Sequence, residues 1–185
     1  MKKIPTLFLR DEQNRARVTR TVNPECQWVL DGEGVPTRKW DGTACMFRGG
    51  KMFKRLTVKP GRPKPDDFES CGVDDVTGKE VGWVPVGDGP EDKYHREAAP
   101  AHGGLNDGTY ELIGPKINGG REGWGARCLV RHDRTRLECS ARDFVGLVAW
   151  LAEHPFEGIV WHHADGRMAK LKRKDVGLKW PCSRG

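Results

Sequence analysis

The segment "TRKWDGTACMFRGGKMFKRL", Thr37 to Leu56, decides how the chain is read. Its runs Thr43–Arg48 and Lys51–Leu56 are β-compatible, and Gly49-Gly50 joins them. That pattern predicts a hairpin with a two-residue turn. The register opposes Arg48 to Lys51, Phe47 to Met52, Met46 to Phe53, Cys45 to Lys54 and Ala44 to Arg55. Arg55 is thereby expected across from the strand that leaves Lys39, close to Gly42. Ahead of the hairpin stands Lys39-Trp40-Asp41-Gly42. Such a lysine is either a solvated charge before an Asp-Gly turn or a nucleophile, and the tetrad alone leaves both open.

Outward from the hairpin, the elements are mostly strands. Arg17–Asn23, "RVTRTVN", alternates as a strand. Asn23-Pro24-Glu25 has the form of a helix N-cap with proline at the first position, predicting a short helix over Cys26–Leu30. "DGEGVPT" reads as a loop. Thr109–Ile113 reads as a strand, and "RCLVRHDRTRLEC" as two more around Asp133-Arg134. Ser140–His154 carries the best helical pattern, with Ser140 and Asp143 resembling a capping box. Phe144, Leu147, Val148 and Leu151 form its apolar stripe, and Pro155 ends it. Gly158–His162 and Met168–Arg173 read as strands. The expected class is α+β, dominated by antiparallel strands.

One domain over 1–185 is expected, with an irregular Pro/Gly-rich insertion at about 59–108 packed by Trp83. "GPEDKYHREAA" inside it predicts a short helix. The chain is 36% hydrophobic and 31% charged, with 24 glycines, which suits a loop-rich soluble protein. No apolar run approaches the roughly 20 residues needed to cross a bilayer, and the N-terminus lacks a signal-peptide core. A cytoplasmic place is the expectation, with no membrane partner. Six cysteines without Cys-x-x-Cys spacing point to reduced thiols and not to zinc. The net charge of +6 favours a polyanionic partner.

Four further residues carry potential chemistry. Glu111 in "YELIG" sits on a strand, either on its solvent side or at a site. Glu157 in "FEGIVWHH" starts a strand and is either a structural carboxylate or a magnesium ligand. In "MAKLKRKD", Lys170 and Lys172 alternate onto one face, where they form either a phosphate clamp or a solvated edge.

Their order adds information that no single one holds. Lys-x-Asp-Gly, a basic strand, "YELIG", "EGIV" and Lys-Leu-Lys follow one another as in the covalent nucleotidyltransferases, the polynucleotide ligases and mRNA capping enzymes. The chain resembles most closely the RNA ligases of that superfamily, including a small group of 5′-to-3′ RNA ligases found in animals, bacteria and phages. "KWDGTAC", "VTGKEVGWVPV", "YELIGPK", "EGIVWHH" and "KLKRKDVGLKWP" carry the resemblance, from Lys39 to Pro181.

The resemblance implies a nucleotidyltransferase (adenylyltransferase) domain of mainly antiparallel sheets flanked by helices. It implies ATP-dependent joining of 5′-phosphate and 3′-hydroxyl RNA ends through a lysyl-AMP and an adenylated 5′ end. Lys39 is then the nucleophile. A free amine, with pKa near about 10.4, must be shifted by burial, cations or metal to attack. Lys170 and Lys172 are implied to grip the α-phosphate and help activate Lys39. Glu157 is implied to bind magnesium or manganese, Glu111 the ribose, and Arg55 the 5′-phosphate of the RNA. Lys39, Trp40, Arg55, Glu111, Glu157, Lys170 and Lys172 make up the implied ATP site.

Three departures qualify the match. Arg38 stands where many relatives place an acid that reads adenine. The base-stacking aromatic is open among Trp124, His132 and Trp40. The chain ends 13 residues after Lys172, so the OB-fold of DNA ligases and capping enzymes is expected to be absent. RNA would then be held by the domain's own basic surface, with Lys59, Arg62, Lys64, Arg121, Arg131, Arg134 and Arg136 as loose candidates. GTP-dependent capping, DNA nick sealing and a catalytically inactive RNA-binding relative remain as alternatives.

Overall fold

A computed structural model of the chain describes residues 3–99 and 104–182. The first half contains β1 (Phe8–Arg10), β2 (Val18–Val22), α1 (Gln27–Leu30), β3 (Val35–Lys39), β4 (Thr43–Arg48), β5 (Lys51–Val58), β6 (Glu69–Val73), β7 (Glu80–Pro85) and α2 (Lys93–Ala98). Then follow β8 (Gly108–Ile113), β9 (Cys128–Arg131), α3 (Phe144–Glu153), β10 (Gly158–His162) and β11 (Met168–Lys172). The class is α+β, and every pairing between these strands is antiparallel. The chain divides into two compact units, Asp41–Arg131 with Met1–Lys3, and Ile4–Trp40 with His132–Gly185.

The Asp41–Arg131 unit is built on a six-stranded sheet in the order β6-β7-β5-β4-β8-β9. The hairpin at its centre has the expected register, from Arg48↔Lys51 through Cys45↔Lys54. Gly49 and Gly50 both take positive φ, +56° and +75°, which lets a two-residue turn match the twist of its strands. Cys45, Leu112 and Ile117 are buried on one face, with Tyr94 and Ala98 of α2 packed against them. Ala44, Phe53 and Trp83 are buried together in a second cluster. The irregular stretch after residue 59 supplies β6 and β7, and β7 runs the length of β5 from Phe53↔Pro85 to Val58↔Glu80. Glycine and proline hid these strands from the sequence pattern; residues 100–103 of that stretch lie outside the described residues. The helix expected in "GPEDKYHREAA" is present as a 3-10 turn, Pro90–Asp92, followed by α2.

The other unit is built on a three-stranded sheet, β11-β10-β3, with the β1-β2 ribbon beside it in sequence and packing. Ile159, Trp161, Ala169 and Leu171 project to one face and are fully buried among Leu147 and Leu151 of α3, Trp28 and Val29 of α1, and Leu7 and Phe8. Burying each large apolar side chain contributes roughly 1.5–3 kcal/mol, so this face anchors the sheet. Asn23 caps the expected short helix by accepting from the Glu25 amide, and the helix opens as a 3-10 turn at Pro24.

Two expectations need correction. The helix begins at Phe144, not Ser140: Asp143 is the N-cap and accepts from the Gly146 amide at 2.9 Å. A capping box would make Asp143 the partner of a cap at Ser140, but the Asp143 carboxylate itself reaches the orphan Gly146 amide. The second strand expected around Asp133-Arg134 does not form. Residues 135–137 instead pair with the free edge of β3: the Arg38 amide donates to Thr135 O at 2.8 Å and the Leu137 amide to Pro36 O at 2.9 Å. An isolated bridge, Thr37↔Arg136, is all that remains of a strand. Conversely, β3 itself was hidden in a segment that glycine and proline made look like a loop.

Candidate active site

The register of the three-stranded sheet brings the predicted lysines together. Lys39 opposes Gly158, which opposes Lys172; Thr37 opposes Val160, which opposes Lys170. Side chains alternate along a strand, so Lys39, Thr37, Lys170 and Lys172 share one face, opposite the buried Ile159 and Leu171. A continuous core on one face thus leaves three lysines on the other. Gly158 in the middle row is required: a Cβ there would lie 2.2 Å from Leu171 O. The "EG" of "EGIV" therefore lets β10 and β11 close on each other between two lysines.

Glu157 enters the sheet beside Gly158 and meets Lys39. Lys39 Nζ donates to Glu157 Oε2 at 2.5 Å, with side-chain exposures of 23% and 14%. Lys39 Nζ also lies 3.5 Å from Trp40 O. Lys170 is held at its backbone, where its amide donates to Pro5 O and its carbonyl accepts from the Leu7 amide. Burial, and after it the charges of Lys39 and Lys172, together bring the Lys170 ammonium down to a pKa of about 8, against Asp175. Lys172 is positioned from below by Asp175, which accepts from the Lys172 amide at 3.0 Å and from Arg10 at 2.8 Å. Arg173 follows and donates to His154 O at 2.8 Å and to Leu151 O, tying the end of β11 to the carbonyl end of α3.

Arg38 projects to the face opposite Lys39. Its guanidinium stacks 3.6 Å over the Trp40 ring and 4.5 Å over the Phe156 ring. The residue that departs from the family pattern thus belongs to an aromatic sandwich in this unit.

In the Asp41–Arg131 unit, Glu111 opposes Ala44 on β4, and its Oε1 accepts from the Gly42 amide at 3.1 Å. Arg55 lies one step beyond the Cys45↔Lys54 pair and opposes Trp83 on its other side. Burial lowers the Arg55 pKa from its usual value, against the attraction of Cys71 and Glu111. Its Nε is buried without a hydrogen-bond partner among the described residues. Asp41 is nine-tenths buried: it accepts from Asn118 at 2.9 Å and pairs with Arg121 at 3.4 Å, while its amide donates to Glu122 at 2.7 Å. Sequence reasoning missed Asn118 and Glu122, and read Arg121 as a loose RNA contact. The turn has left-handed backbone at Lys116, Asn118, Gly119 and Gly120, φ +68°, +44°, +74° and +66°. Asn118-Gly119-Gly120 marks a turn in the sequence, but nothing local announces its contact with Asp41.

Among the remaining candidates, Lys64 pairs with Glu80, and Trp124 is 46% exposed. Among the described residues no group of three or more His, Cys, Asp or Glu is placed to hold a metal ion, and the six cysteines are free. No described helix is long and apolar enough to cross a membrane.

The RNA ligase 1 family model matches residues 88–184, a span that includes Glu111, Glu157, Lys170 and Lys172. An RNA ligase 1 from Danio rerio is 38% identical over 88 residues, covering 43% of this chain and 27% of that protein. One from Mus musculus is 27% identical over 162 residues, covering 69% of this chain and 47% of that protein. One from Pongo abelii is 34% identical over 86 residues, covering 42% and 26%. The chain thus matches between a quarter and a half of the length of these relatives. With its model match running over more than half of the residues and through four of the predicted site positions, the chain belongs to the RNA ligase 1 family.

Proposed function

We propose that the protein is an ATP-dependent RNA ligase that joins 5′-phosphate and 3′-hydroxyl ends, built on a nucleotidyltransferase fold. The observation that carries this reading is the convergence of Lys39, Lys170 and Lys172 on one face of one small sheet, with Glu157 bonded to Lys39. Three cations on a solvated edge would spread apart; three on one face, each partly withdrawn from water, suit a phosphate group.

In this reading the Lys39 Nζ lone pair attacks the α-phosphorus of ATP. The bond to pyrophosphate breaks and a phosphoramidate forms. Glu157 Oε2 stands where it can take the Nζ proton. Lys170 and Lys172 offset the charge that builds on the α-phosphate oxygens. A 5′-phosphate oxygen of RNA then displaces lysine from the phosphorus, and a 3′-hydroxyl finally displaces AMP. Glu111 is assigned to a ribose hydroxyl and Arg55, whose buried Nε needs an acceptor, to phosphate. Trp40 stays at the nucleotide site as the residue whose carbonyl borders the nucleophile. Magnesium fits the donor set, because it takes one or two carboxylates and completes its shell with water and phosphate oxygens. Glu157 would hold it or manganese, and when bound such an ion supplies positive charge against the phosphates. RNA and ATP are the proposed partners and the cytoplasm the proposed location.

The test is covalent labelling with α-phosphate-labelled ATP and magnesium, followed by addition of 5′-phosphorylated RNA. Wild type should take the label and pass it to RNA. A label that persists in Lys39→Ala sinks the assignment of the nucleophile.

A further inference from the structure

The lysine face of the sheet continues past the lysines. Two residues back along β3 from Lys39, about 7 Å away, the same face carries Thr37, and then Val35. A nucleotide bound with its α-phosphorus at Lys39 places its base one sugar away, a comparable span. At that place an open pocket is lined by Gly34, Val35, Thr37, Asp133, Arg136 and His162.

Its hydrogen bonds have a fixed direction. Thr37 Oγ1 is buried and donates to Val160 O at 3.1 Å. A carbonyl only accepts, so the single hydroxyl proton is committed to it. His162 Nε2 lies 3.1 Å from the same Oγ1, which can then only accept from the ring. Nε2 therefore carries hydrogen, and Nδ1 of the neutral ring is left with a bare lone pair. Burial, with the neighbouring His132, lowers the His162 pKa and keeps the ring neutral, against Asp133. The adjacent His163 differs: its Nε2 lies 2.6 Å from a Glu33 carboxylate oxygen, and its Nδ1 accepts from the Asp165 amide at 3.2 Å.

We propose that Thr37 and His162 read the base of the nucleotide, with His162 Nδ1 accepting from the exocyclic amino group of adenine. Guanine presents a carbonyl oxygen at that position, and two lone pairs would meet. The acid that relatives place beside the lysine is thus replaced by an acceptor from β10, oriented by a hydroxyl from β3. The assignment rests on the nucleotidyl-transfer reading of Lys39.

Equilibrium titration of the full chain with AMP and with GMP tests it without requiring catalysis. Wild type should bind AMP at least about tenfold more tightly than GMP, the effect of one mispaired hydrogen-bonding group. Thr37→Val keeps the volume but removes the acceptor that fixes the ring, and the ratio should fall towards one. Thr37→Ser should retain it. If Thr37→Val does not fold, His162→Phe keeps the ring without the lone pair and must abolish the preference. Equal binding of both nucleotides by wild type, binding of neither, or an undiminished preference in Thr37→Val or His162→Phe overturns the proposal. A preserved AMP preference without covalent labelling by ATP would strike the catalytic reading and leave the base pocket standing.

Discussion

Lys39 Nζ lies 2.5 Å from Glu157 Oε2, joining the end of β3 to the start of β10 in a pair largely withdrawn from water. Removing one partner leaves the other charge poorly solvated, so each single change should cost more than its share of the pair. Glu157→Gln is expected to lose about 2 kcal/mol, a fall in Tm of about 4–8 °C for a chain of this size. The double variant Lys39→Met/Glu157→Gln should be less destabilised than the sum of the singles. Glu157→Gln should also slow lysyl-AMP formation by about 100-fold or more, through loss of the proton acceptor and metal ligand. Thermal melts with single-turnover labelling check both; additive melting shifts would remove the pair from the argument.

Lys170 should make stability depend on pH in the alkaline range. Its folded pKa, about 8, lies below the ordinary value of 10.5. Between these values the unfolded chain binds more protons, so stability rises with pH. The cost of the buried ammonium is fully present below pH 8 and is relieved towards pH 10.5. It amounts to about 3 kcal/mol at neutral pH. Lys170→Met should therefore raise Tm at pH 7, with a gain that shrinks as pH climbs past 8, while AMP transfer is lost. A melting temperature unchanged at pH 7, or a gain independent of pH, would refute the burial of a charged lysine there.

These consequences show which parts of the chain are legible in sequence. The hairpin register is readable because Gly49-Gly50 pins it between two β-compatible runs. The lysine pair on β11 was readable from period two alone. What failed did so where local pattern competes with long-range pairing. β3 carries Pro36 and follows two glycines, so nothing local marks it as a strand; β10 on one side and residues 135–137 on the other make it one. β6 and β7 similarly gain their identity from β5. The Asp41 network and the Thr37–His162 hydrogen bond join residues 77 to 125 positions apart, and spacing carries no trace of them.

Arg38 offers a prediction on selectivity. Its guanidinium is sandwiched between Trp40 and Phe156 on the face away from Lys39. Arg38→Gln should remove stacking worth about 1–2 kcal/mol, lowering Tm by a few degrees. The ratio of AMP to GMP affinity should not move. A changed ratio with an unchanged Tm would place Arg38 at the base instead.

Gly158 tests the sheet as the positioning device. Gly158→Ala removes no functional group, yet its Cβ would lie 2.2 Å from Leu171 O and press β11 away from β10. Overpacking of this kind costs about 3 kcal/mol, or about 6–12 °C in Tm. Because β11 carries both Lys170 and Lys172, the labelling rate should fall steeply even at temperatures where the variant is folded. Gly125→Ala, where an added Cβ meets nothing within 4 Å, serves as the control and should melt and label like wild type. If Gly158→Ala labels normally while folded, the lysines do not depend on the close approach of these two strands, and the grip on the α-phosphate must come from elsewhere in the unit.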